Sequence, residues 1–252
     1  MAADADDSVT YRHPGTQWFQ PVLWSAATLG RLSARAGTLR AVLATLRRLS
    51  PDDYLEFVSA YLEQGLERFD EDWGYTDLLS VAQAATTALR PRSYLEIGVR
   101  RGRSLAVVAA AWPEVNLVGF DLWIPNYAYM ENPGPEFVEA ELRRVGHRGR
   151  LALVSGDSRE TVPAYLAANP DAFFDLITVD GDHTPEGAAN DLANVLPRLR
   201  LGGVVILDDV SHPLHRDLVP VWQRLVAADP AFDSAIYGDL GYGVAYAVRR
   251  EA

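Results

Sequence analysis

The sequence predicts an α/β protein: a doubly wound, seven-stranded, mostly parallel sheet with an antiparallel last strand, preceded by a helical segment. Three observations predict it. Tyr94-Leu95-Glu96-Ile97-Gly98-Val99-Arg100-Arg101-Gly102-Arg103-Ser104 reads as a short apolar strand that ends in an acid, turns through two glycines and enters an Ala/Val-rich helix. Beyond it, short apolar runs alternate with helical patterns, the mark of a doubly wound sheet. Most of those runs also end in an acid, and the carboxyl ends of parallel strands are where such sheets bind ligands.

In chain order, residues from Met1 to about Gly15 read as a disordered arm. Between Val22 and Leu49 apolar residues recur three or four apart with Arg on the other face, which argues one or two amphipathic helices. Ser50-Pro51-Asp52-Asp53 looks like a helix start with Ser as the cap, and that helix runs to about Phe69. Asp70-Glu71-Asp72 reads as a solvated loop, and a further helix covers Thr76 to Leu89. Strands follow at Tyr94–Ile97, Leu117–Asp121, Leu151–Ser155, Phe174–Asp180 and Gly203–Asp208. Helices between them cover Ser104–Ala111, Pro135–Val145, Ser158–Ala168 and Pro185–Leu199. Asp233–Tyr237 and Tyr242–Val248, joined by Gly-Asp-Leu-Gly, form an antiparallel pair at one sheet edge. The expected division is residues 1–75 as an arm and helices, then residues 76–252 as the ligand-binding domain.

Composition narrows the chemistry. The formal charge of −11 argues against nucleic acid or an anionic membrane as a partner. Cys is absent, which excludes disulfides, thiolate metal sites and a Cys nucleophile. All 23 basic residues are Arg, so a general base must be His, Asp, Glu or Tyr. The first residues lack a basic-plus-apolar signal, and Arg interrupts the longest apolar stretch. A cytoplasmic protein is expected.

The Gly turn favours one cofactor chemistry. A dinucleotide fingerprint needs G-x-G-x-x-G, and Arg100 stands where the middle glycine would be, which disfavours NAD or FAD. Glu96 before the turn suits a cationic ligand, and S-adenosylmethionine carries an ammonium and a sulfonium. Asp121, at the end of the second strand, is placed to accept ribose hydroxyls. The acids continue as Asp157, Asp180 and Asp208-Asp209, and their mutual repulsion raises pKa values unless a cation is bound. Adjacent strand ends bring Asp180 near Asp208 and Asp209. Three carboxylates without Cys favour a hard divalent cation, Mg2+ first and Mn2+ or Ca2+ behind. His183 is read as a general base, against the alternative that Asp182-His183-Thr184-Pro185 merely caps a helix.

From about Tyr94 to its end the chain resembles a class I S-adenosylmethionine-dependent methyltransferase of Rossmann-like fold. Glu-Ile-Gly-x-x-x-Gly-x-Ser and Val-Asp-Gly-Asp-His…Gly-Gly-Val-x-x-x-Asp-Asp resemble the Mg2+-dependent O-methyltransferases of macrolide-type pathways, which act on sugars and other natural-product intermediates. The chain is similar, more distantly, to catechol-type enzymes, which carry Lys where this sequence has His183 and Asp-Asn where it has Asp208-Asp209. The resemblance implies that Asp180, Asp208 and Asp209 hold the metal and that His183 is the base. It implies a cofactor site of Glu96, Gly98, Gly102, Ser104, Asp121, Asp157 and Ser158, with Asp180 at its border. Gly156-Asp157-Ser158 reads equally as a plain helix start.

The long aromatic loop from Asp121 to Pro135 is the candidate roof of an acceptor site, through Trp123, Tyr127, Tyr129 and Met130, with packing as the alternative. His212 or His215 is a candidate to line it, whereas His13 and His147 are expected on the surface. Trp18, Trp24, Tyr54, Tyr61 and Trp73 suggest that the N-terminal helices form a lid or an oligomer contact, and a homo-oligomer is expected through them. The expected partner is a small-molecule acceptor. Three other readings remain: a metal-independent methyltransferase with an O or N acceptor, a non-catalytic binder of the cofactor, and an NAD enzyme.

Overall fold

The computed structural model describes residues 22–127, 130–215 and 217–251. The expected arm, His13, Trp18 and Tyr129 lie outside the described residues. A seven-stranded sheet runs through the molecule in the order β3-β2-β1-β4-β5-β7-β6. Its strands are β1 (Ser93–Ile97), β2 (Asn116–Asp121), β3 (Leu151–Ser155), β4 (Phe174–Val179), β5 (Leu199–Asp208), β6 (Phe232–Tyr237) and β7 (Val244–Arg249). The first five are parallel, and β7 inserts antiparallel between β5 and β6. The strand order reverses between β1 and β4, where such a sheet leaves a crevice.

Helices cover both faces. On one lie α1 (Ala26–Ser33), α2 (Ala36–Leu46), α3 (Asp53–Phe69), α4 (Leu78–Leu89), α5 (Arg103–Ala111) and α6 (Pro135–Arg144). On the other lie α7 (Ser158–Ala168), α8 (Pro185–Val195) and α9 (Leu218–Trp222). The two-residue period of the strands makes this division: Tyr94 packs on the first side, Leu95 and Ile97 on the second. Leu29, Leu39, Leu46 and Leu62 of the N-terminal helices are fully buried in the same cluster as Leu105 of α5. The helical segment therefore shares the sheet's core. No helix among the described residues is long and apolar enough to cross a membrane.

Four local expectations change. Asp52, not Ser50, caps α3: its carboxylate accepts the Leu55 N–H at 2.7 Å. Ser50 is recruited by buried Glu141 of α6, which accepts its N–H at 2.7 Å and its hydroxyl at 2.8 Å. The acids 70–72 wind into a short 3-10 turn, where Asp70 pairs with Arg40 and Glu71 accepts the Ala36 N–H. The helix expected to reach Leu199 stops at Val195, and a 3-10 turn at Leu196–Arg198 hands the chain to a β5 four residues longer than expected. Finally, α9 and a π-helical turn at Gln223–Ala227 fill a stretch with no expected helix.

Candidate active site

Register builds the site. Ile97 lies opposite both Phe120 and Val179, Asp121 opposite Ser155, and Val179 opposite Leu207. The residues that follow these partners, Gly98, Gly156, Asp180 and Asp208, therefore form one rim with Asp121. Gly98 stands at φ 91, and a Cβ there would fall 2.0 Å from the Asp180 carbonyl oxygen. Only glycine lets β1 turn that close to β4. Gly102, at φ 73, precedes α5, and a Cβ there would meet Val138 of α6 at 2.8 Å.

A cleft of about 750 Å3 opens along this rim. Its walls include Gly98, Asp121, Asp157 and Ser158 at one part, and Asp180, His183, Asp208 and Asp209 at another. Glu96, Gly102 and Ser104 are not among the wall residues. Glu96 is 0% exposed and accepts hydrogen bonds from Ser104 Oγ at 2.6 Å and from the Tyr94 hydroxyl. Burial drives its pKa up to about 8 against those two bonds, with the Asp180 and Asp121 charges pushing the same way. Asp121 already serves the turn: it accepts the Arg100 N–H at 2.6 Å and the Trp123 N–H at 2.5 Å, which leaves lone pairs on both oxygens for a ligand. Asp157 is both a wall residue and the cap of α7. It accepts the Arg159 N–H at 2.9 Å and pairs with that guanidinium at 2.8 Å, which holds its pKa low.

The acidic end carries the reactive groups. His183 Nε2 lies 3.1 Å from Asp180 Oδ1 and 3.9 Å from Asp209 Oδ2, while His215 Nδ1 lies 3.4 Å from Asp209 Oδ2. The His183 and His215 rings stack at 4.3 Å, and His212 stacks on His215 at 4.2 Å. Burial alone pulls the His183 pKa down, but the Asp180 hydrogen bond and the charges of Asp180, Asp209 and Asp182 outweigh it, and the net direction is up. Burial also raises Asp180, and burial with the charges of Asp180 and Asp209 raises Asp208 well above the carboxylate range. The cap role falls to Thr184, whose hydroxyl oxygen accepts the Gly187 N–H at 3.1 Å, and Asp182 accepts the Thr184 N–H at 2.9 Å. His183 is left with its ring toward the carboxylates. His183, Asp209 and His215 present ligand atoms within 4.8 Å of one another, so His215 joins the group that the sequence confined to carboxylates.

Residues 95–210 match a family profile described as a methyltransferase domain. This stretch is a methyltransferase domain. Solved structures share its fold. The O-methyltransferase TomG from Streptomyces achromogenes, involved in tomaymycin synthesis and bound to S-adenosylmethionine, is 20% identical, with 81% of this chain and 92% of that one covered and a TM-score of 0.56. A Podospora anserina methyltransferase bound to S-adenosylhomocysteine is 17% identical, covering 81% and 99% of the two chains at a TM-score of 0.54. CalS11, a TDP-rhamnose 3′-O-methyltransferase of calicheamicin biosynthesis, is 22% identical over 84% and 93% at a TM-score of 0.53. A search of curated protein sequences finds no match.

The loop after β2 divides its aromatic residues. Tyr127 and Met130 line the cleft, as do Leu122 and Ile124, which sequence reasoning passed over. Trp123 instead packs on the core and donates its indole N–H to Ser155 Oγ at 2.9 Å. His212 and His215 both line the cleft. His147 is half-buried rather than on the surface, its Nε2 2.8 Å from the Val115 carbonyl oxygen. Tyr54 of α3 also reaches the cleft, where burial and the nearby Asp208 charge push its pKa up to about 12.

Proposed function

We propose that the protein transfers the methyl group of S-adenosylmethionine to a hydroxyl of a small molecule, a sugar or another natural-product intermediate, with a divalent cation assisting. One observation carries the reading: the His183 imidazole faces Asp180 at 3.1 Å and Asp209 at 3.9 Å in the cleft that also holds Gly98 and Asp121. TomG and CalS11 are described as O-methyltransferases of natural-product pathways, and this supports the choice of oxygen as acceptor atom.

The donor set fits a hard divalent cation, Mg2+ first and Mn2+ behind. The carboxyls of Asp180 and Asp208 are pushed upward by burial and then by neighbouring acid charge, and His183 Nδ1 is buried without a hydrogen-bond partner. Asp180, Asp208 and Asp209 would hold the ion, with His215 beside Asp209. When bound, the ion supplies positive charge that lowers the pKa of a nearby hydroxyl. His183 receives that hydroxyl's proton, and Asp180 and Asp209, at 3.1 and 3.9 Å from its Nε2, stabilise the imidazolium that results. Asp121 takes the ribose of the cofactor, and Gly98 and Gly102 shape the turn against which the cofactor lies. The remaining work is alignment of the methyl group with the oxygen in a site shielded from water.

Release of S-adenosylhomocysteine against a panel of hydroxylated sugars and polyketide-type acceptors tests the proposal. His183→Ala should lower turnover about 100- to 10,000-fold and leave cofactor affinity and melting temperature nearly unchanged. Exhaustive chelation should stop turnover but not calorimetric binding of S-adenosylhomocysteine. The His183–Asp180 pair at 3.1 Å also favours a second reading, a metal-independent transfer with the same base. Full turnover after chelation selects it.

A further inference from the structure

Three arginines cluster at the Gly turn, and two of them are paired. Arg101 meets Asp52 at 2.7 Å and Glu131 at 3.0 Å, and Arg103 meets Asp52 at 2.5 Å. Arg159, another guanidinium in the cleft wall, is tied to Asp157 at 2.8 Å. Arg100 differs. Among the described residues no carboxylate lies within 4.0 Å of its side-chain nitrogens. Its Nη2 reaches the Met130 sulfur at 2.8 Å, a weak acceptor, and its Nε is buried with no hydrogen-bond partner. The guanidinium lies 5.8 Å from the Tyr54 ring centroid and 5.9 Å from that of Tyr127.

The Arg100 charge is felt by Asp180, yet no carboxylate pairs with it among the described residues. The chain has 34 acidic residues, and the same cleft holds the carboxylates of Asp121, Asp180, Asp208 and Asp209. Cation–π contact with two tyrosines offsets part of the cost, but an unpaired buried donor on a guanidinium still costs free energy until an acceptor arrives. The planar fork of Arg matches the paired oxygens of a phosphate or carboxylate, which a lone hydroxyl does not offer. Tyr54 links this group to the reactive end, because its phenol also feels the Asp208, Asp209 and Asp180 charges.

We infer that Arg100, flanked by Tyr54, Tyr127 and Met130, binds an anionic group on the acceptor, a phosphate ester or a carboxylate, while the hydroxyl to be methylated lies at the Asp180–His183 end. The inference rests on the hydroxyl-methylating reading and names the acceptor class it takes.

Calorimetry tests it without turnover. Protein saturated with S-adenosylhomocysteine is titrated with inorganic pyrophosphate, uridine diphosphate, glucuronate and glucose, each with and without saturating Mg2+. The expected result is that at least one anionic probe binds, glucose does not, and Arg100→Gln weakens the anion about tenfold or more while Arg100→Lys restores part of the affinity. Binding of the two phosphate probes alone identifies a phosphate ester, and binding of glucuronate alone a carboxylate. The inference is overturned if no anion binds, or if Arg100→Gln binds the probes as well as the parent does. A lower melting temperature with unchanged anion affinity is the second case, and it would reduce Arg100 to a packing partner of the two tyrosines. None of these outcomes touches the His183 and chelation results, so the two readings fail separately.

Discussion

Replacing Glu96 with Gln should stabilise the protein at neutral pH and leave it nearly unchanged in acid. The folded chain holds this carboxyl at a pKa of about 8, raised by burial from its ordinary 4.5. The native state therefore keeps a proton that the unfolded chain releases. Stability from this group is complete below about pH 4.5 and is lost as pH rises toward 8. At about 1.4 kcal/mol per pH unit, the loss reaches about 3 kcal/mol by pH 7. Glu96 is 0% exposed, so solvent screening does not reduce the figure. Both carboxyl oxygens have partners: Ser104 Oγ lies 2.6 Å from one, and the Tyr94 hydroxyl, itself 2.9 Å from Thr178 Oγ1, meets the other. A Gln amide keeps those partners without a titrating proton. Melting temperatures of parent and variant between pH 4.5 and 8 are the assay. Their difference should grow from near zero at pH 4.5 to roughly 6–12 °C by pH 7 in favour of the variant. A difference that stays flat across that range refutes the protonated-acid account, and a variant less stable at every pH refutes the equivalence of Gln.

Two further changes test the cofactor side of the site. Asp121→Ala should weaken S-adenosylhomocysteine by about 1.5–3 kcal/mol in calorimetry, since a charged acceptor for the ribose is lost; unchanged affinity removes Asp121 from the cofactor site. Gly98→Ala should cost more than about 1 kcal/mol of stability in chemical denaturation, because φ 91 and the Asp180 carbonyl oxygen leave no place for a methyl group; a variant of parental stability would mean that the turn relaxes freely.

The sheet was legible because its strands are apolar runs bounded by acids and glycines, and register then forces those acids onto one rim. That is why Asp121, Asp180 and Asp208 come together as expected. The burial of Glu96 was less legible, although the two-residue period that puts Tyr94 on its face is visible in the sequence. What the sequence did not carry was the long-range pairing with Thr178 and Ser104 that seals the acid inside. The α9 helix was hidden by its own composition, since Leu218-Val219-Pro220-Val221-Trp222 joins a proline to β-branched residues that disfavour helix. Burial of Leu218, Val221 and Trp222 on the sheet overrides that preference. Tyr54 enters the site through tertiary contacts with no local signature, and His215, expected to line the cleft, also comes within 3.4 Å of Asp209. The start of α3 was misplaced by two residues because Ser50 and Asp52 are both good caps, and only the distant Glu141 decides between them.

Asp52 gives one of its oxygens to the first turn of α3 and the other to Arg101 and Arg103 at the mouth of α5. The helical segment and the cofactor turn are thereby set in step before any acceptor arrives, and Tyr54, two residues along, takes its position from that grip. One wall of the cleft is thus furnished by chain that lies outside residues 95–210. A fragment trimmed back to the sheet would lose that wall together with the part of the core that the helical segment completes.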